Sequence, residues 1–376
     1  MRYITQTGAN DASAGVTIRD GHDNYFTPLR LIFALLVVLG HAFVITLRDL
    51  QGEPSVFYDY GFSYLAVNLF FIASGFLVTK SMIYRGKRSS FLAARLLRIY
   101  PALIIHLIFI LFIIGPLATR LPVLDYLTHA DVWSQPFLVL SFINTDLLLP
   151  GVFETNNEAF ASAPLWTLRY EVLCYLGTLL AFSLGLMRKK WMILAQFVIP
   201  GVIWIVGQTY GLFDAAPDTA ENLVRFAMAY GIGATIYAYQ DHLSFNWAGL
   251  VLVLALCWLF KSTPALEITT NLGLAWLVMT VAYARWPAFK PLQAMDDLSY
   301  GVYIYHWAIL QMLVLWFPQI SVIDILAIGL PVTILIAWLS WTFVEKPVLA
   351  RKDAFGAWIR FGRPNKPYDR KTILTD

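Results

Sequence analysis

The sequence predicts an all-α membrane protein, a polytopic bundle of about ten transmembrane helices with both termini in the cytoplasm. Three observations lead there. Of 376 residues, 59% are hydrophobic and only 14% charged, too few charges to cover a water-soluble body, in which about 25% is usual. Ten apolar stretches approach the roughly 20 residues that a helix needs to cross the hydrocarbon core. The basic residues, finally, gather on alternate connections between those stretches.

The expected spans are Pro28 to Leu47, Tyr60 to Thr79, Ile99 to Leu117, Leu165 to Met187, Trp191 to Leu212, Leu223 to Tyr239, Leu243 to Phe260, Ile268 to Ala284, Leu298 to Phe317 and Val322 to Val344. Each must pair its backbone N–H and C=O groups internally, so each is read as a helix. The sixth, seventh and eighth are the shortest or most weakly bounded. Setting aside Arg30, Arg169 and Arg225 at span ends, 21 Lys and Arg fall on one set of loops and the termini, against Arg48, Arg120 and Lys261 on the other. The positive-inside rule therefore puts both ends in the cytoplasm. The domain reading is a cytoplasmic segment 1–27, a membrane body 28–347 and a basic cytoplasmic tail 348–376. The first 27 residues are polar, so no cleavable signal is expected. Between the third and fourth spans, Pro136 to Pro150 is apolar but too short to cross. It is either an interfacial or re-entrant element or a packed outer loop.

The net charge of +3 gives no argument for nucleic acid as a partner. Cys174 and Cys257 are the only cysteines and lie in apolar runs, so neither a disulfide framework nor a metal site is expected. There is no GxSxG elbow, HExxH, Walker loop or GxGxxG opening a helix after a strand.

Ionisable groups inside spans are costly and mark the place to look for chemistry. Arg30 and His41 share the first span, and eleven residues at 100° each leave them within about 20° of one face, about 16 Å apart along the axis. Glu171 lies six residues into the fourth span. Counting inward from Leu47 and Leu165 puts His41 and Glu171 at about the same depth, which permits a His–carboxylate pair. Arg95 and Arg98, at i and i+3, project from one face at the opposite end. With Arg30 they could form a cluster of guanidinium forks for phosphate oxygens. The plainer reading is that they snorkel to lipid phosphate and set topology. His306 reads as a structural hydrogen bond, and nothing in the sequence singles out His106 or His129.

Six ordered segments carry a resemblance: FTPLRLIFALLVVLGHAF with Arg30 and His41, NLFFIASGFLVTKS from Asn68, RLLRIYPAL from Arg95, PLWTLRYEVLCYL from Pro164, LSYGVYIYHWAIL from Leu298 and FVEKP from Phe343. Together they resemble the acyltransferase type-three family, the multi-span bacterial membrane O-acyltransferases that decorate polysaccharides and related surface molecules. The resemblance runs from about Tyr25 to Pro347. It implies a bacterial inner-membrane enzyme that takes an acyl group, usually acetyl, from cytoplasmic acetyl-CoA. The acceptor it implies is a sugar hydroxyl of an exopolysaccharide, O-antigen or lipid-linked oligosaccharide. Arg30 and His41, Arg95 and Arg98, and Glu171 match the family's motif positions. Asn68 stands where Asp is frequent, Arg169 where Ser is common and Val172 where a second acidic residue often follows.

The expected roles follow from that resemblance. Arg30, Arg95 and Arg98 would hold the CoA phosphates, and His41 would act as general base or acyl carrier. Glu171 would fix the His41 tautomer; the sequence does not identify the oxyanion donors, for which Asn68, Ser74 and backbone N–H groups are equal candidates. Besides acyl-CoA, a carbohydrate and the bilayer, a polysaccharide synthesis complex or a second copy are candidate partners. A proton-coupled transporter or flippase would also carry His, Glu and Arg inside a bundle. Against it, the two halves show no matching pair of broken spans.

Overall fold

The computed structural model describes residues 16–18, 24–47 and 52–359. The rest of the expected N-terminal segment and the tail beyond residue 359, on which part of the charge count falls, lie outside the described residues.

Every expected span falls on a helix. These are α1 (Phe26–Leu47), α2 (Phe62–Arg85), α3 (Arg88–Phe109, continuing through a π turn to Ala118), α4 (Trp166–Ser183), α5 (Lys190–Thr209), α6 (Asp218–Tyr239), α7 (Trp247–Phe260), α8 (Ala265–Ala282), α9 (Ser299–Trp316) and α10 (Val322–Ser340, continuing to Leu349). Among the described residues α1, α2, α3, α5, α8 and α10 are long and apolar enough to cross a membrane. A seventh span is added if the bent pair Pro287–Ala294 and α9, at 75°, is taken as one. The 14 residues of α7 reach only about 21 Å, and α6 carries Asp218, Glu221 and Arg225.

Local chemistry sets the ends and bends. The left-handed Gly86 closes α2, its N–H bonding Met82 O. At the other end of α2, the Glu53 carboxylate accepts the Ser63 N–H at 2.6 Å. The π turns Ile110–Ile114 and Trp341–Glu345 each come just before a helical piece that carries a proline at its second position, Pro116 and Pro347. Proline removes an N–H and crowds the carbonyl four residues back, and a wider turn relieves both. In α10 that turn buries Glu345.

Most helices pack through one central core, with α2 against both α1 and α6, and a small second cluster of Val253, Cys257 and Leu266 joins α7 to α8. At the α2–α6 crossing a Cβ on Gly75 would overlap the Tyr230 carbonyl, and one on Gly233 would overlap that of Ile72. Small residues let these backbones touch where lipid offers no hydrophobic drive.

The connection between α3 and α4 folds back against the helices. A short helix, Ala130–Leu140, runs back along α3, with Trp133 against Phe112 at 6.0 Å and Tyr100 Oη bonded to Leu140 O at 3.0 Å. Residues 100 and 112 of α3 are about 18 Å apart along its axis. The chain returns as Leu147–Leu148, paired antiparallel with Phe160–Ser162. It then follows one face of α9 inward: Gln311 bonds Asn156 and Glu158, Trp307 bonds Phe160 O, and Tyr303 meets Pro164 and Thr167. Residues 161, 162 and 165 are fully buried, so the bundle boundary lies well before Leu165. The helical body also continues past 347, because the helix Lys352–Trp358 packs on α3.

Candidate functional site

The face of α1 that carries Arg30 and His41 is turned toward α9 and the residues just before it. Arg30 Nη1 bonds Asp297 Oδ2 at 2.7 Å, and His41 Nδ1 lies 2.8 Å from His306 Nε2 with the two rings stacked. One straight helix thus links two centres.

At the first centre His306 is fully buried and its Nδ1 lies 3.1 Å from Val302 O, one turn back. A carbonyl only accepts, so His306 Nδ1 carries the proton and, in the neutral ring, Nε2 is an acceptor. His41 Nδ1 must then donate to it, which leaves the lone pair on His41 Nε2. No described residue is bonded to that nitrogen. Trp307 lies edge-on to His41 at 5.0 Å and fixes the ring plane from the side.

The expected pairing of His41 with Glu171 is not formed; no hydrogen bond or ion pair joins them among the described residues. The Glu171 carboxylate accepts from Tyr175 Oη, one turn along α4. It lines a small cavity of about 50 Å³ with Arg30, Ser74, Thr167, Ser299 and Tyr303. The depth estimate failed because the chain already enters the bundle at Phe160, so Leu165 does not mark its surface. The residue that holds His41 is His306, which the sequence reading took as structural.

The second centre is basic. Arg30, Arg85, Arg95, Arg98 and Lys352 line an adjoining cavity of about 260 Å³ with one acidic side chain, Asp297. Arg30 and Ser74 border both cavities. The three arginines singled out by sequence come together here but are not equivalent. Arg98 is fastened to Asp297 at 2.8 Å and faces the buried Glu345 at 3.6 Å. Asp297 also takes the Ser299 hydroxyl at 2.5 Å. Burial alone would raise the Asp297 carboxyl, but Arg30 and Arg98, helped by Ser299, outweigh it and hold it down at about 2. Arg95 has no carboxylate within 4 Å among the described residues. Its guanidinium lies over the Tyr175 ring at 5.3 Å, and its Nε is buried without a partner. Glu171, Tyr175 and Arg95 therefore form a chain of contacts, in which the carboxylate holds the phenol and the phenol ring carries the cation.

Asn68 is not free to stabilise an oxyanion. Its amide donates to the buried Glu267 at 3.0 Å, and Asn271 and Tyr64 bond the same carboxylate. Glu267 lies one residue outside the expected eighth span and was therefore missed. Ser74 borders the cavities as stated. Arg169 bonds Thr145 at 3.2 Å, and His106 bonds Ser162 at 2.9 Å. No group of three His, Cys, Asp or Glu suited to a metal occurs among the described residues.

Comparison with known proteins gives a consistent result. A family model described as an acyltransferase domain matches residues 23–342. Nodulation protein 10 of Rhizobium leguminosarum bv. viciae is 28% identical over 362 residues, covering 90% of this chain and 96% of that protein. The O-acetyl transferase of Shigella phage Sf6 is 26% identical over 334 residues, covering 88% of this chain and 97% of that protein. No solved structure gives a significant match.

Proposed function

Because the chain belongs to the acyltransferase type-three family, we propose that it is a membrane O-acetyltransferase. In this reading it moves acetyl from cytoplasmic acetyl-CoA to a hydroxyl of an exopolysaccharide, O-antigen or lipid-linked sugar at the bacterial inner membrane. The name of the Shigella phage relative supports the reaction class. The observation that carries the mechanism is the His41–His306 hydrogen bond, which leaves a basic nitrogen at one end of α1 while Arg30 at the other borders the basic cavity.

The donor phosphates enter the cavity of Arg30, Arg95 and Arg98, with the pantetheine arm directed past Ser74 and Glu171. His41 Nε2 takes the acceptor hydroxyl proton as that oxygen attacks the thioester carbonyl. The tetrahedral oxyanion collapses, the C–S bond breaks, and the CoA thiolate takes the proton back from the imidazolium. The products are an O-acetyl ester and CoA thiol. His306 holds the productive tautomer throughout, the role an aspartate fills in hydrolytic triads. Glu171 acts through Tyr175 on Arg95 and is a positioning residue for the donor.

The test uses membrane vesicles with labelled acetyl-CoA and the host glycan. Label recovered as alkali-labile ester on the glycan is the expected result. Glycan crossing the bilayer with no transfer of label would overturn the reading in favour of a transporter.

A further inference from the structure

We propose that the short helix Lys352–Trp358 completes the donor site, Lys352 binding a phosphate group of the acyl-CoA; this rests on the donor reading above. Lys352 lies beyond the family match, which ends at residue 342, and sequence alone assigned it to a basic cytoplasmic tail. The fold brings it back: Lys352 and Leu349 line the same cavity as Arg95 and Arg98.

The charges there are unequal in availability. Arg30 and Arg98 are both bonded to Asp297, Arg98 also faces Glu345, and Arg85 lies 3.9 Å from the exposed Asp353. Among the described residues, Arg95 and Lys352 are the lining cations with no carboxylate within 4 Å. Lys352 is half-buried. A half-buried ammonium without an anion is costly in free energy, and a ligand phosphate removes that cost with a charge-assisted hydrogen bond.

The helix is held by packing and not by Lys352 itself. The Gly356 backbone lies so close to the start of α3 that a Cβ there would stand 3.1 Å from Ser90 Cα and 3.5 Å from Ala93 Cβ. A larger residue at 356 displaces the helix and takes Lys352 away from the cavity. Two substitutions four residues apart, one of charge and one of packing, should therefore give the same binding defect.

The experiment measures CoA binding by calorimetry to the full chain in lipid nanodiscs. Lys352→Ala should weaken CoA by about tenfold, Lys352→Arg should bind close to wild type, and Gly356→Leu should show the loss with Lys352 intact. Acceptor KM should not move. Wild-type CoA affinity in both Lys352→Ala and Gly356→Leu would overturn the proposal while leaving the donor reading in place. A wild-type protein that does not bind CoA at all would overturn both.

Discussion

Replacing His306 by Phe keeps a flat ring in a fully buried position and removes both of its hydrogen bonds. His41 Nδ1 then loses the acceptor 2.8 Å away, and the proton is free to sit on either nitrogen. Two costs add. A buried donor left unpaired costs about 1–3 kcal/mol, and each 1.36 kcal/mol is about tenfold in rate. The expected loss is therefore about 10- to 100-fold in kcat, with the donor KM unchanged because the basic cavity lies at the other end of α1. His306→Gln tests the cause, since its amide can accept from His41 while donating to Val302 O; it should recover part of the rate. The assay is initial-rate transfer of labelled acetyl in membrane vesicles, normalised to inserted protein. Wild-type kcat in His306→Phe, or a loss confined to donor KM, would refute the reasoning.

Arg95→Ala should raise the donor KM about tenfold and leave the fold intact. Arg98→Ala should destabilise the protein by about 3–5 kcal/mol, because it leaves the buried Glu345 without a cation and Asp297 with Arg30 alone; thermal unfolding in detergent separates the two. Asp297 is held at about 2 in the folded protein, below its unfolded value, so its stabilisation of about 2 kcal/mol is present above pH 4 and lost as pH falls toward 2. Asp297→Asn should accordingly be less stable than wild type at pH 7, and the gap should close between pH 4 and 2 in fluorescence-monitored unfolding. Glu171→Gln should raise donor KM several-fold with kcat nearly retained; a fall in kcat at constant donor KM would restore Glu171 as a direct partner of the reaction.

The helices were legible because lipid imposes one rule on every span. Periodicity along one helix was legible as well: the shared face of Arg30 and His41 is the one turned toward α9. What neighbours that face was not, since apolar sequences contain no record of which helices touch. His306 nevertheless left a trace. Counted from the level fixed by the Arg30–Asp297 pair, His41 is eleven residues along α1 and His306 nine along α9, about 16 and 14 Å. Without that pair the common level was unknown, and Leu165 gave a false one for Glu171. Asp297 and Glu267 were overlooked because each falls one residue outside an expected span. Lys352 was read by charge alone, while the close approach at Gly356 depends on a tertiary contact with α3.

The most direct measurement is acetyl transfer by His41→Ala in vesicles that contain the same amount of inserted protein and still bind CoA. Transfer should fall to background with CoA affinity unchanged, because the grip on the donor lies at the other end of the helix. Transfer at the wild-type rate would contradict His41 as the base and with it the mechanism built on its Nε2.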